Sequence, residues 1–375
     1  MGGNAFLERL PDHAFPRLPP ALYFELRARL LPRLQRLYEH VAVPMEAPEK
    51  ADYGDLDFLV AGPKLAATST EGVHTDVSHE DVQRALGAHS LIALPGTSNY
   101  AISITEEWRT HAPSDSSPAV EAEPVAVSCQ VDVHACADKT EWELHRFMHG
   151  YGDVGMILGL FARNVGLSLG TVGLKILTKI AGKPPFHLSS SVPEIAAFFG
   201  LALDAWERGF PTERAAFEWA ATSRFFSVQR MKEAHSKKRR TETRMMYSRF
   251  VDWAQAQPVP ETPVPSAEAV VAEALASFGK KAEYDGLMEE YRQAAAKIEA
   301  RNALKLVFNG TVVGEWTGLD NRRVKIVMDK IRLEQAGGAG LLGLERSRIQ
   351  QLVESAVDQL GYVNHAEVDP KNEPE

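Results

Sequence analysis

The sequence predicts a mixed α+β domain extended by helical segments toward the C-terminal end. Three observations carry this. Short apolar runs of alternating polarity are interleaved with helix patterns up to about residue 190. From Val192 onward the pattern is helix after helix, and Gln257-Pro258-Val259-Pro260-Glu261-Thr262-Pro263-Val264-Pro265 reads as a linker between helical stretches. The expected organisation is a first domain over residues 1–190, a helical domain with a basic run over 191–256, a Pro-rich linker over 257–266, a helical C-terminal domain over 267–361 and a disordered tail over 362–375.

Composition sets the outer limits. A chain of 375 residues, 45% hydrophobic, can build two or three domains with cores. The net charge of -9 argues against a generally basic nucleic-acid coat, so a polyanion must be met by a local patch. With only Cys129 and Cys136, neither a disulfide framework nor a cysteine-rich zinc site is available, which fits the cytosol or nucleus. No stretch approaches the roughly 20 apolar residues of a membrane span, and the first residues lack a basic segment followed by an apolar one.

In chain order, Leu18-Pro19-Pro20 leads into an expected helix over 21–40, with Leu22, Phe24, Leu26, Leu30, Leu34 and Tyr38 as its apolar stripe and Pro32 as a possible kink. Tyr53-Gly54-Asp55-Leu56-Asp57-Phe58-Leu59-Val60 follows as a strand. Alternation puts Asp55 and Asp57 on one face, their Cα atoms ~7 Å apart, with Leu56 and Phe58 turned to the core. Aspartate is a poor strand former, so two in one strand call for a compensating partner. A divalent ion bound through oxygen is one such partner; solvation at a strand mouth is the other reading.

Ser78-His79-Glu80-Asp81-Val82 marks a capped helix ending near Gly87, and 91–94 with 100–104 form a hairpin around Pro95-Gly96-Thr97-Ser98-Asn99. Residues 110–124 read as a surface loop. In the next strand, 126–136, Val127, Cys129, Val131 and Val133 share one face and Gln130, Asp132 and His134 the other. Asp55, Asp57 and Asp132 together form a suitable ligand set for two ions ~4 Å apart, one activating a hydroxyl and one holding a triphosphate. His134 is either a neighbour hydrogen-bonded beside that site or a further ligand or proton shuttle. Carboxylates with one histidine suit Mg²⁺ or Mn²⁺ better than zinc.

The run Gly54-Asp55-Leu56-Asp57-Phe58-Leu59-Val60 followed by Val131-Asp132-Val133 resembles the catalytic signature of the DNA polymerase β-like nucleotidyltransferase superfamily, which includes poly(A) polymerases, CCA-adding enzymes and antibiotic nucleotidyltransferases. The resemblance implies a mixed-sheet nucleotidyltransferase fold of the α+β class, with Asp55 and Asp57 as ligands of both metals. Asp132 becomes the third carboxylate and general base. The family's Gly-Ser or Gly-Gly pair about ten residues upstream is missing, since Val43-Pro44-Met45-Glu46-Ala47-Pro48-Glu49-Lys50 stands there. Backbone donors of Gly2-Gly3-Asn4 and Gly54, and the Lys50 charge, are the substitutes available for a phosphate.

Residues 141–164 read as helix interrupted by Gly150-Tyr151-Gly152-Asp153, followed by the glycine-rich 166–173 and a strand over 174–177. Tyr151, Arg163 and Lys175 are nucleotide-contact candidates; tight packing around glycine turns explains the segment equally well. The order of a glycine-rich segment after the third aspartate also resembles a fungal subgroup of the same superfamily. Helices are expected from Val192 to a Gly200 stop and from Thr212 onward.

Between Arg230 and Arg249, eight basic residues stand against Glu233 and Glu242, a local charge of +6, with Tyr247 and Trp253 close by. Lys237, Lys238, Arg239, Arg240 and Arg244 are the nucleic-acid-binding candidates. A solvated helix face and a nuclear address are the competing readings. Further helices are expected over 266–278, 284–303, 323–333 and 347–360, with a break at Gly337-Gly338-Ala339-Gly340. Thr317-Gly318-Leu319 and the helix after it loosely resemble the RNA-holding C-terminal segment of CCA-adding enzymes.

The expectation is an enzyme, a two-ion Mg²⁺ or Mn²⁺ nucleotidyltransferase that joins NMP from an NTP to a polynucleotide 3′ end, with RNA as partner. Transfer to a small-molecule or protein hydroxyl, and a catalytically silent nucleotide- or RNA-binding protein, are the alternatives.

Overall fold

The computed structural model describes residues 3–64, 77–111, 126–178, 180, 182–231, 244–258 and 265–362. The chain is mixed α+β and divides into two compact units, Met1–Lys281 and Ala282–Glu375. The helix Ala267–Ser277 was expected beyond the linker but belongs to the first unit. Its buried Val270, Ala274 and Leu275 explain why, as does Glu273, whose carboxylate receives both Arg224 guanidinium nitrogens at 2.7 and 2.6 Å.

The first unit is built on a mixed sheet. Its central strands β3 (Asp55–Pro63) and β6 (Ala126–Ala135) run parallel. Antiparallel β2 (Tyr38–Ala42) flanks β3, and antiparallel β5 (Thr97–Ser103) and β4 (Ser90–Ile92) continue beyond β6. The short β1 (His13–Ala14) pairs parallel with the start of β6.

Helix α1 (Pro20–Gln35) covers one face, and its length follows from sequence chemistry. Proline occupies the first turn, where its missing N–H costs nothing, and Leu22, Leu26, Leu30 and Leu34 repeat at the spacing of a single stripe. That stripe packs on Leu56, Phe58, Val60, Val131 and Val133. The expected helix over 21–40 is therefore too long: after Gln35 the chain turns, and the alternating Tyr38-Glu39-His40-Val41-Ala42 becomes strand β2. Phe24 leaves the stripe and is 48% exposed. Helix α2 (His79–Leu86) carries a full capping box between Ser78 and Asp81 and stops at left-handed Gly87. Helix α3 (Thr105–His111) follows β5.

On the opposite face, α4 (Lys139–His149) packs against β2 and β3, with the Trp142 indole donating to the Leu59 carbonyl at 3.0 Å. The break at Gly150–Asp153 separates it from α5 (Val154–Asn164), as the glycines indicated. Three further strands, β7 (Leu167–Gly170), β8 (Gly173–Ile176) and β9 (Phe186–Ser189), form a second antiparallel sheet, of which only the 174–177 strand was expected. Helices α6 (Val192–Phe199), α7 (Leu203–Arg208) and α8 (Glu213–Ala221) come next. With the helix Met245–Gln255 they enclose an aromatic core of Phe217, Phe226, Phe250 and Trp253.

The second unit is helical. Helices Gly310–Thr317, Asn321–Glu334 and Arg346–Gln359 close around Val313, Val327, Ile331, Ile349 and Val353. The long helix Lys281–Val307 buries only Met288 along its length. The expected break at 337–340 is present: within Ala336–Leu341, Gly337 and Gly338 leave helical geometry at φ +70° and +94°. Among the described residues, no helix is long and apolar enough to cross a membrane.

Candidate active site

The three aspartates meet because two parallel strands place them side by side. In the β3–β6 ladder Asp57 pairs with Asp132 and Asp55 with Gln130. Adjacent parallel strands lie ~4.8 Å apart, so the carboxylates rise from neighbouring positions on one face. The other face of both strands is buried under α1, which fixes the register: a one-residue slip would turn the acids into the leucine core.

Asp57 and Asp132 line a cleft of about 250 Å³ together with Pro44, Met45, Glu46, Lys50, Thr97, His134 and His149. Asp57 is reachable from the cleft mouth but crowded by its walls, and this setting pushes its carboxyl up to about 7. Desolvation is the main cause, followed by the charges of Asp55, Asp132 and Glu46, with Lys50 opposing. Burial also raises Asp132 above the usual carboxylate range, while its hydrogen bonds from Asn99 and Gln130 pull the other way. Adjacent carboxylates on one face, two of them resisting ionisation when no cation is near, form an oxygen-only donor set that fits a hard divalent cation.

Asp132 is held by amides. Asn99 Nδ2 donates to Oδ1 at 2.6 Å, and Gln130 Nε2 reaches Oδ1 at 2.8 Å and Oδ2 at 3.0 Å. Gln130 is fixed in turn by the Ala5 backbone N–H on its Oε1 at 2.9 Å. The N-terminal segment thus braces the site through Gln130. It also presses on the turn before Asp55: a Cβ on Gly3, whose φ is +89°, would lie 2.2 Å from the Gly54 carbonyl oxygen. Gly54 and Gly3 therefore serve close backbone approach, and Gly2 lies outside the described residues.

Lys50 lies in the cleft, where its ammonium pairs with Glu46 at 2.6 Å and sits 4.5 Å from the Tyr53 ring centre. Glu46 also accepts from the buried Tyr23 hydroxyl. The segment lacking the Gly-Ser pair thus lines the cleft with one acid and one base instead. No family model matches the chain, and no curated protein sequence matches it.

Tyr151, Arg163 and Lys175 are not among the residues that line the cleft. Tyr151 is buried and donates its hydroxyl to the Trp206 carbonyl at 2.7 Å, Arg163 is exposed in the last turn of α5, and Lys175 sits on β8. Of the basic candidates, Lys237, Lys238, Arg239 and Arg240 lie outside the described residues. Arg244 pairs with the buried Asp153 at 3.0 Å, and Arg230 and Arg249 are likewise engaged, on the Asn164 carbonyl and on Glu213.

Asn99, Glu46, Thr97 and His149 were not singled out in the sequence. Asn99 opens β5 with Thr97 and Ser98, in the stretch where the sequence predicts the hairpin turn. The other three sit near the aspartates only through the tertiary fold.

Proposed function

We propose that the chain is a metal-dependent nucleotidyltransferase of the polymerase β-like kind, acting on an NTP and a polynucleotide 3′ hydroxyl, with RNA as the favoured acceptor. The observation that carries this is the pairing of Asp57 with Asp132 across two parallel strands, both lining one cleft, with Asp55 two residues away on the same face. Asp55, Asp57 and Asp132 would hold Mg²⁺ or Mn²⁺, which when bound supplies charge neutralisation for a triphosphate and lowers the pKa of an acceptor hydroxyl.

The protein's own groups supply the rest. Asp132, kept in one orientation by Asn99 and Gln130, accepts the proton of the acceptor hydroxyl as its oxygen bonds to the α-phosphorus and pyrophosphate departs. Lys50 offers a cation to a phosphate at the cleft wall, at the cost of its Glu46 contact. The polynucleotide acceptor rests on the basic run at Lys237–Arg240 and on the loose C-terminal likeness.

One observation favours the second reading, transfer to a small-molecule or protein hydroxyl. The described arginines of the basic run, Arg230, Arg244 and Arg249, are all engaged within the protein. Incorporation of each radiolabelled NTP into RNA and DNA oligonucleotides, with Mg²⁺ or Mn²⁺, separates the two. Extension that disappears in the Asp55→Ala/Asp57→Ala variant is the expected result. NTP binding without extension of either oligonucleotide would remove the polynucleotide acceptor.

A further inference from the structure

Beyond the aspartates, the same sheet face carries a second cluster of different chemistry. His134 near the end of β6, Cys136 just after it and His145 on α4 offer ligand atoms that all lie within 4.8 Å of one another. His145 and Cys136 are each 8% exposed. Two nitrogens here are buried without any hydrogen-bond partner among the described residues, His134 Nε2 and His145 Nδ1. A buried imidazole nitrogen without a partner is costly, and two in one cluster need a common explanation.

The outer nitrogen of His134 is already engaged, and that of His145 faces an acid. His134 Nδ1 is 2.7 Å from the Thr97 hydroxyl, and His145 Nε2 is 3.6 Å from a Glu141 carboxylate oxygen. For His134 this is how a metal-binding histidine is oriented: one nitrogen is fixed by a hydroxyl so that the other is presented to the ion. The two rings stack at 4.4 Å between centres, too face-to-face for a hydrogen bond between them.

We propose that His134 Nε2, Cys136 Sγ and His145 Nδ1 bind a borderline transition-metal cation, Zn²⁺ in the first instance, at the rim of the cleft. The donor set of two imidazoles and one thiolate is the kind zinc selects over Mg²⁺, and the reverse holds for the aspartates. Tetrahedral zinc places such ligand atoms roughly 3.5 Å apart, so closing the site requires about 1 Å of movement together with a turn of the two stacked rings out of parallel, so that both nitrogens aim at one ion. Three protein ligands leave a fourth position open, and His134 also lines the cleft that holds Asp57 and Asp132. The ion would tie α4 to the end of β6. The inference does not rest on the nucleotidyltransferase reading, because none of its three ligands belongs to the aspartate set.

Titration of the full-length chain with Co²⁺ is the direct test. A thiolate bound to Co²⁺ gives a near-ultraviolet charge-transfer band, which is expected to saturate at about one equivalent and to be displaced by Zn²⁺. The band is expected to vanish in Cys136→Ser, to fall in His145→Ala, and to persist in Cys129→Ser and in Asp55→Asn/Asp57→Asn. Absence of the band in the unmodified chain overturns the proposal without reliance on any variant. So does a band, or bound zinc measured by elemental analysis, that is unchanged in Cys136→Ser/His145→Ala.

Discussion

Asp57 and Asp132 occupy matching positions on parallel strands β3 and β6, so two carboxylates that belong to segments 75 residues apart share one cleft floor. Burial of the Asp57 carboxyl, reinforced by the charges of Asp55 and Asp132, makes the metal-free protein sensitive to pH.

Asp57 titrates near 7 in the folded chain against an ordinary value of 3.8. Between these values the folded state holds a proton that the unfolded state has lost, so stability falls as pH rises from about 4 through 7. Solvent access at the cleft mouth reduces the full linkage to about 1–2 kcal/mol. Urea unfolding in chelator at pH 5 and pH 8 is expected to show this loss, and Asp57→Asn to lessen it by that amount. A variant whose pH dependence equals that of the unmodified chain would contradict the assignment.

Mg²⁺ should reverse the same effect. At pH 8 a concentration ten times the dissociation constant is expected to stabilise the chain by about 1.4 kcal/mol, and Asp55→Asn/Asp57→Asn to abolish the gain. Equal stabilisation of both proteins in thermal melts would place the ion elsewhere.

Asn99 holds Asp132 in its charged form through the 2.6 Å amide contact. In Asn99→Leu that support is lost, Asp132 becomes harder to ionise, and the acid limb of the pH–rate profile moves to higher pH with about a tenfold loss of rate. A lowered rate with an unmoved limb would mean that Asn99 supports the fold rather than the base.

The turn from α4 to α5 depends on an absent side chain. A Cβ at Gly155 would lie 2.0 Å from the Met148 carbonyl oxygen, whereas one at Gly159 meets the Leu169 carbonyl at 3.1 Å. Gly155→Ala is therefore expected to cost about 2–3 kcal/mol and Gly159→Ala under half of that, as measured by urea unfolding. Comparable losses at both sites would refute the packing argument.

Neutralising Lys237, Lys238, Arg239 and Arg240 together is the matching test of the acceptor. If these residues meet phosphates, oligonucleotide affinity falls and the salt dependence flattens by up to about 3 in its log–log slope. An unchanged slope in a filter-binding titration would leave the run as a solvated face or an address.

Much of this molecule was legible in its sequence because the signals are local. Alternation in 53–61 and 126–136 sets which side chains share a face, so Asp55 with Asp57, and Asp132 with His134, could be paired before any fold was known. Ser78 with Asp81, Gly87 and Gly200 mark helix ends through bonds and backbone angles that span a few residues. The leucine stripe of α1 was equally readable, but its end was not: Tyr38 continues the helical spacing and also begins an alternating run, and pairing with β3 decided for the strand. Propensity is weak beside a ladder of backbone hydrogen bonds along a buried sheet. What brought β3 beside β6, α4 over their shared face, and Cys136 against His134 and His145 was the burial of apolar surface between distant segments. That term has no local signature, so the carboxylate chemistry could be read residue by residue, while the cleft around it and the second cluster at its rim arose only when the chain closed on itself.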